Sequence, residues 1–149
     1  MKASTSLILI LLLLLSGCTT FHGVTPLYPE VGNPNYPADV ETTQPTFRWE
    51  AVDAPGTTYD LIVYNGIKVE TFLEGVKRSR GEEIYYREGI ETNAHKIEIH
   101  LEMGKEYYWS VRTRKGETVS TWGSYDYTLF LGTAYVKFWN RPYIFETHK

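Results

Sequence analysis

The sequence predicts an all-β protein, an antiparallel β-sandwich preceded by a cleaved export leader. Three observations support this expectation. Seven leucines fall within the first 15 residues, whereas the remainder is poor in leucine and rich in tyrosine. From Pro45 onward, apolar and polar residues alternate with a period of two, as half-buried strands require. No apolar stripe with the 3.6-residue period of a helix extends beyond two turns of that body.

Composition bounds the function before any motif is considered. A chain of 149 residues suits one domain, and 42% hydrophobic with 22% charged residues excludes a disordered chain. The formal net charge of −3 argues against general nucleic-acid binding and against electrostatic docking on anionic lipid. A single cysteine excludes an intramolecular disulfide and any cysteine-cluster metal site.

Residues 1–17 have the plan of an export signal peptide. Lys2 is the only charge, and Leu7 to Leu15 form an unbroken apolar run of nine residues. A membrane-spanning helix needs about 20 such residues, so a permanent transmembrane anchor is not expected. Ser16 and Gly17 are the small residues that precede a cleavage site.

The end of this leader, Leu15-Ser16-Gly17-Cys18, resembles a bacterial lipobox. The resemblance implies cleavage before Cys18, a diacylglycerol on its thiol and a fatty acid on its new amino group, with no other cofactor. Two or more acyl chains hold a protein firmly on a membrane. The alternative is an ordinary signal peptide followed by a chance cysteine.

The residues after the cysteine bear on location. Thr19 and Thr20 stand where an Asp often signals inner-membrane retention in Gram-negative lipoproteins. The resemblance therefore implies a lipid-anchored cell-envelope protein. Its place would be the periplasmic side of the outer membrane in a Gram-negative cell, and the outer face of the cell membrane otherwise.

A lipidated linker, residues 18–23, is expected to lead into the sandwich, which is predicted over residues 24–131. Five of the seven prolines lie between residues 19 and 45, which excludes helix and central strand alike. The same stretch is also compatible with a proline-bearing edge strand over residues 25–31 that belongs to the domain itself.

The alternation predicts which side chains face the core and where the chain turns. Asp60 is predicted to face away from the core, and Asn65-Gly66 is predicted to form a two-residue hairpin turn, with residues 67–72 returning. Further strands are predicted over residues 83–87 and 125–131. The predicted inward-facing sets are Phe47, Trp49 and Ala51; Tyr59, Leu61 and Val63; Ile97, Ile99 and Leu101; and Tyr107, Trp109 and Val111.

These strands resemble those of fibronectin type III domains. Residues 44–49 resemble the second strand with its buried Trp, and residues 59–63 resemble the third. Residues 101–112 resemble the segment that carries the family's tyrosine corner, with Leu101 six residues before Tyr107. The resemblance implies an immunoglobulin-like antiparallel sandwich. It rests on core residues and implies no catalytic site.

Two segments depart from the family pattern. Residues 66–82 form an expected insertion between the third and fourth strands, and residues 132–149 form an expected C-terminal extension. The extension contains five aromatic residues within eleven positions. It is predicted either to pack over the sandwich or to expose an aromatic face to a partner. The candidate binding residues in it are Tyr135, Phe138, Trp139, Arg141 and Tyr143.

Two basic groups are further candidates for binding. Arg112 and Arg114 lie at the last predicted hairpin, where they either contact a partner or protect a sheet edge from pairing. Lys77, Arg78 and Arg80 lie in the expected insertion, as an anion site or as an unliganded basic loop.

No metal site or catalytic constellation is predicted. His95 and His100 are five residues apart on one predicted strand, hence on opposite faces, and the adjacent pair Glu82-Glu83 also diverges. The predicted function is a non-enzymatic protein-binding or spacer module of the envelope. The alternative is a glycan- or peptidoglycan-binding module, and a third possibility is an enzyme whose site is not visible in the sequence.

Overall fold

A computed structural model describes residues 17–31, 36–71 and 75–148. Within these ranges the protein is all-β. The predicted signal peptide, residues 1–17, lies outside them except for Gly17. The described part contains no helix long and apolar enough to cross a bilayer. The described strands are β1 (Gly17–His22), β2 (Pro26–Tyr28), β3 (Ala38–Val40), β4 (Thr46–Trp49), β5 (Thr58–Thr71), β6 (Gly75–Ile90), β7 (Ala94–Lys96), β8 (Glu106–Lys115), β9 (Thr118–Val119), β10 (Ser124–Leu131), β11 (Ala134–Arg141) and β12 (Tyr143–Thr147).

These strands form three sheets. The main sheet has the order β3-β12-β8-β5-β6, with β9 paired to β8. A second sheet has the order β2-β4-β7, and a third has the order β1-β10-β11. Among the described pairs, β3 and β12 run parallel and the others are antiparallel. The expectation of an all-β fold built from antiparallel sheets is therefore confirmed.

An aromatic core joins the second sheet to the main sheet. The ring centroids of Phe47 on β4 and Trp109 on β8 are 4.9 Å apart, and those of Trp49 and Tyr59 are 5.3 Å apart. Each fully buried aromatic side chain removes about 150–250 Å² from water, and the hydrophobic effect accounts for much of the sandwich's stability. The core cluster also includes Val40, Leu61, Val63, Ile97, Val111 and Phe145.

The predicted alternation is confirmed on the central strands. Tyr59, Leu61 and Val63 are buried on β5, as are Phe47 and Trp49 on β4. Two positions predicted to face the core are exposed. Ala51 lies beyond β4, which ends at Trp49, and Ile99 lies in the segment after β7, where Ile97 and Leu101 are buried as predicted.

The predicted turn at Asn65-Gly66 is wrong. Both residues lie inside β5, which continues as a long ribbon with β6 and is irregular in register between Tyr64 and Gly66. A Cβ built on Gly66 would lie 2.5 Å from the carbonyl oxygen of Glu106 on β8. Glycine is needed here for close approach of two backbones, a role that is indistinguishable from a turn signal in the sequence. The described residues of the expected insertion, 66–71 and 75–82, form the outer part of this ribbon, and residues 72–74 lie outside the described residues.

The strand beside β8 is not the one expected. Residues 125–131 lie in β10, in the third sheet, and β12 takes the place next to β8 in the main sheet. Phe145 is fully buried and packs against Phe47 and Tyr107. The sandwich was predicted to end at residue 131. The structure differs, because β12 is one of the strands of the sandwich.

The predicted linker is also part of the fold. Residues 17–22 form β1, which pairs with β10 from Gly17↔Leu129 to His22↔Ser124. Phe21 packs against Tyr143, with ring centroids 6.3 Å apart. Cys18 is exposed on this strand, with Thr128 as its pairing partner. The third sheet thus ties the beginning of the described chain to the body.

Candidate functional site

The outward face of β5 and β8 is covered rather than solvated. Asp60 has no exposed surface, and Tyr108 and Ser110 are also buried, although alternation placed all three opposite the core. Their burial results from long polar side chains on neighbouring strands and from the third sheet. This covered face carries the polar clusters and the groove described below.

Asp60 is the centre of the first polar cluster. Arg112 Nε donates to its Oδ2 at 2.9 Å, and Arg114 donates to both carboxylate oxygens at 2.8 Å. The backbone N–H of Gly89 also donates to Oδ1, at 3.3 Å. Burial alone raises the pKa of Asp60, but the hydrogen bonds from Arg114 and Arg112 outweigh burial and hold the pKa below its ordinary value.

The two arginines that the sequence offers as candidate partner contacts, Arg112 and Arg114, both lie in this cluster. Both guanidinium groups are committed to Asp60, and Arg112 also lies over the ring of Trp122, with Cζ 4.3 Å from the centroid. Arg114 makes a further ion pair with Glu88, at 3.1 Å. These contacts suit a structural role, because they hold the side chain of Trp122 and the outward side chains of β8 in place.

A second polar cluster holds part of the predicted basic insertion. Arg78 Nε lies 2.9 and 3.1 Å from the two carboxylate oxygens of Glu106, whose side chain is buried. Lys68 adds a longer ion pair to the same carboxylate. Arg80 lies over the ring of Tyr64, with Cζ 4.4 Å from the centroid, while Lys77 is exposed. Arg78 and Arg80 therefore have separate partners, and no contact brings the three basic residues together as one anion site.

Between these clusters lies a groove of about 710 Å³. Its floor comes from β5 and β8, and its walls come from the segment before β10 and from the third sheet. Tyr64 and Trp122 supply aromatic surface, and Arg80 and Asn140 supply polar groups. The remaining lining residues are His22, Ile62, Ser110, Thr121, Gly123, Ser124 and Pro142.

Asp126 fixes the wall formed by the third sheet. The backbone N–H of Asn140, a residue with a positive φ of 47°, donates to its Oδ1 at 2.9 Å. His22 Nε2 lies 3.1 Å from its Oδ2. The hydrogen bond from Asn140, followed by the contact with His22, lowers the pKa of Asp126. One buried carboxylate thereby sets the positions of two groove residues from β1 and β11.

The aromatic C-terminal candidates separate into two groups. Tyr135 and Trp139 are 67% and 64% exposed, whereas Phe138 is half-buried with Arg141 lying over its ring. Tyr143 is fully buried, and its hydroxyl donates to the carbonyl oxygen of Val24 at 2.8 Å. Tyr143 is therefore a core residue, because β12 lies in the main sheet, and it is not available to a partner.

The histidines have separate partners. Tyr85 Oη lies 2.6 Å from His95 Nε2, and Thr43 Oγ1 lies 3.1 Å from His100 Nδ1. Among the described residues, no three His, Cys, Asp or Glu side chains come together as metal ligands would. Burial lowers the pKa of His95.

Comparison of the chain with protein-family models, with curated proteins and with solved structures finds no match in any of the three. The groove is therefore interpreted from its own chemistry. Sequence reasoning did not find Tyr64, Asn140 or His22 as groove residues. Their positions depend on the placement of the third sheet, which no local pattern predicts.

Proposed function

We propose that this protein is a lipid-anchored, non-enzymatic binding module of the cell envelope, built on a fibronectin type III-like sandwich. Its ligand would be a segment of a partner protein held in the groove between β5, β8 and the third sheet. The acyl chains on Cys18 would hold this groove near a membrane, so that the module brings its partner to the envelope without chemical change.

Several contacts support the proposed sandwich type. The sheet β2-β4-β7 packs on a sheet whose last four strands in spatial order are β12-β8-β5-β6, the arrangement of a fibronectin-like double sheet. The hydroxyl of Tyr107 accepts a hydrogen bond from the backbone N–H of Glu102 at 2.8 Å, as in a tyrosine corner. The third sheet would then be an addition, with β1 preceding the sandwich strands and the β10–β11 hairpin inserted before the closing strand β12.

The composition of the groove carries the binding proposal. Trp, Tyr and Arg dominate protein-binding hot spots, and Trp122, Tyr64 and Arg80 line one concave surface. Arg80 covers one face of the Tyr64 ring, and Arg112 covers one face of the Trp122 ring. Of these two arginines, only Arg80 lines the groove, because the Arg112 guanidinium is bound to Asp60. That arrangement favours a peptide backbone with polar side chains over a flat apolar ligand.

Removal of the groove aromatics provides the test of binding. A photo-crosslinking side chain at Thr121 in the full chain is expected to give a discrete protein adduct in cells. Tyr64→Ala and Trp122→Ala are each expected to weaken binding of the partner roughly 30-fold or more, and adduct formation with it, because a hot spot contributes about 2 kcal/mol or more. Tyr36→Ala, which removes an exposed aromatic outside both the groove and the third sheet, is the matched control and should leave the adduct unchanged. Equal adduct yields in all three variants would contradict the proposal.

A glycan is the second candidate ligand. Asn140, Ser124 and Thr121 place hydrogen-bonding groups beside the aromatic rings of the groove, which suits sugar hydroxyls. Purified peptidoglycan would distinguish the two ligands. Sedimentation of the protein with protease-treated peptidoglycan, lost in Tyr64→Ala and retained in Tyr36→Ala, would favour the glycan.

The lipid anchor has its own test. In a bacterial host supplied with a labelled fatty acid, the full chain is expected to be labelled and to fractionate with membranes. Cys18→Ala should remove the label and move the protein to the soluble fraction. Thr19→Ala is the control and should be labelled like the parent. Continued labelling of Cys18→Ala would exclude lipidation at this residue.

A further inference from the structure

The third sheet presents an uncharged, apolar tip at the same end as Cys18. Residues 127–136 contain no charged side chain and no histidine. They form the hairpin between β10 and β11, in which Leu131 pairs with Ala134 and Gly132 has the positive φ of 70° that a two-residue loop requires. The exposed apolar residues around this tip are Phe130, Leu131, Tyr135 and Val136.

The strand register places this tip relative to the cysteine. Cys18 pairs with Thr128, and Thr128 pairs with Lys137. Directly paired residues lie on the same face of a sheet, and so do residues two apart on one strand. Phe130 and its partner Tyr135 therefore lie on the same face as Cys18. The two rings form a cross-strand pair with centroids 6.5 Å apart. They lie two residues, roughly 7 Å, beyond Cys18 toward the tip.

The rest of this face has the composition of a membrane interface. Trp139 follows Lys137 by two residues, is largely exposed, and has the Lys137 ammonium 3.6 Å from its ring centroid. Trp and Tyr are enriched at headgroup level in membrane proteins, where Lys extends its charge toward water. The charges that flank the apolar tip, Asp126 and Lys137, are paired with each other at 3.5 Å.

We propose that the β10–β11 hairpin tip inserts into the bilayer interface beside the acyl chains of Cys18. This inference rests on the proposed lipidation of that residue. Phe130 and Tyr135 would enter the acyl boundary while Trp139 and Lys137 lie at the headgroups. The domain would then be held at two points, by its lipid and by its hairpin, which fixes its orientation on the membrane.

Vesicles of phosphatidylcholine that carry a nitroxide on the headgroup test the insertion, since a nitroxide quenches the fluorescence of a tryptophan at headgroup depth. The lipidated full chain, reconstituted in these vesicles, is expected to lose the fluorescence component that Trp139→Phe removes. The double variant Phe130→Ser/Tyr135→Ser should lose this quenching. It should also transfer between vesicles about tenfold faster, because less apolar area is buried in lipid.

Controls separate this inference from the lipid anchor. Tyr36→Ser/Met103→Ser removes two exposed apolar side chains outside the third sheet, and should leave quenching and transfer unchanged. Thermal unfolding should be similar in both double variants, because all four side chains are exposed. An absence of fatty-acid labelling on the parent chain would overturn the anchor itself. Labelling without quenching, or a hairpin variant that alters only the oligomeric state in detergent, would overturn the insertion and leave the anchor intact.

Discussion

Asp60→Asn is expected to lower the free energy of unfolding by about 3 kcal/mol, the lower end of the range for breaking a buried ion pair. Asp60 is fully buried, and Arg112 and Arg114 share its single negative charge. The variant removes this charge from both arginines, although each keeps some contact with water and Arg114 keeps its ion pair with Glu88. Urea unfolding followed by tryptophan fluorescence measures the loss. Asp53→Asn, an exposed carboxylate in a loop, is the control and should change stability by less than about 0.5 kcal/mol.

The same carboxylate predicts a pH dependence of stability. The folded-state pKa of Asp60 lies below its unfolded value of about 3.9. The contribution of Asp60 to the free energy of unfolding is therefore fully present above that pH. The contribution is lost as the pH falls below 4 through the folded pKa, because protonation removes the charge that the arginines require. The parent should therefore lose more stability than Asp60→Asn on acidification. Parallel pH profiles for the two proteins would show that Asp60 is not the group involved.

Phe145→Ala is expected to be the most destabilising single change in the C-terminal segment, by about 3–5 kcal/mol. Phe145 is fully buried, with ring centroids 5.7 Å from Phe47 and 5.6 Å from Tyr107. Its removal leaves a cavity between the two sheets that surrounding side chains cannot fill. Thermal and urea unfolding both report this loss.

Trp139→Ala provides the matched control in the same segment. Its side chain is largely exposed, so the variant should stay within about 0.5 kcal/mol of the parent in free energy of unfolding. If the two variants were equally stable, β12 would not contribute to the core. Residues 143–147 would then have to be assigned to a surface extension.

Local patterns predicted the central strands well. The alternation of Tyr59, Leu61 and Val63 follows directly from a sheet with one face on the core, and the structure buries all three. The pattern could not predict that the opposite face is covered too. Asp60 is buried because Arg112 is its direct cross-strand partner and Arg114 reaches it from two residues away. Such pairing depends on the register between strands some fifty residues apart in sequence.

The errors in topology have a related cause. Two segments near the C-terminus, residues 125–131 and 143–147, have strand character, and either can be placed beside β8 from its sequence alone. The structure places the second there because Phe145 fills the core, while the first pairs with β1. The groove depends on this choice, since its walls include residues of β1 and β11. Its prediction therefore required long-range pairing that local alternation does not encode.

The position of β12 has a consequence for biogenesis. β12 lies between β8 and β3 in the main sheet, so the sandwich is completed only when residues 143–147 are available to pair. A chain that is still being synthesised has neither Phe145 in its core nor a partner for β3. It would remain unfolded until residues 143–147 have been synthesised, because domains fold as units. The strand that completes the sandwich therefore also sets the moment at which folding can begin.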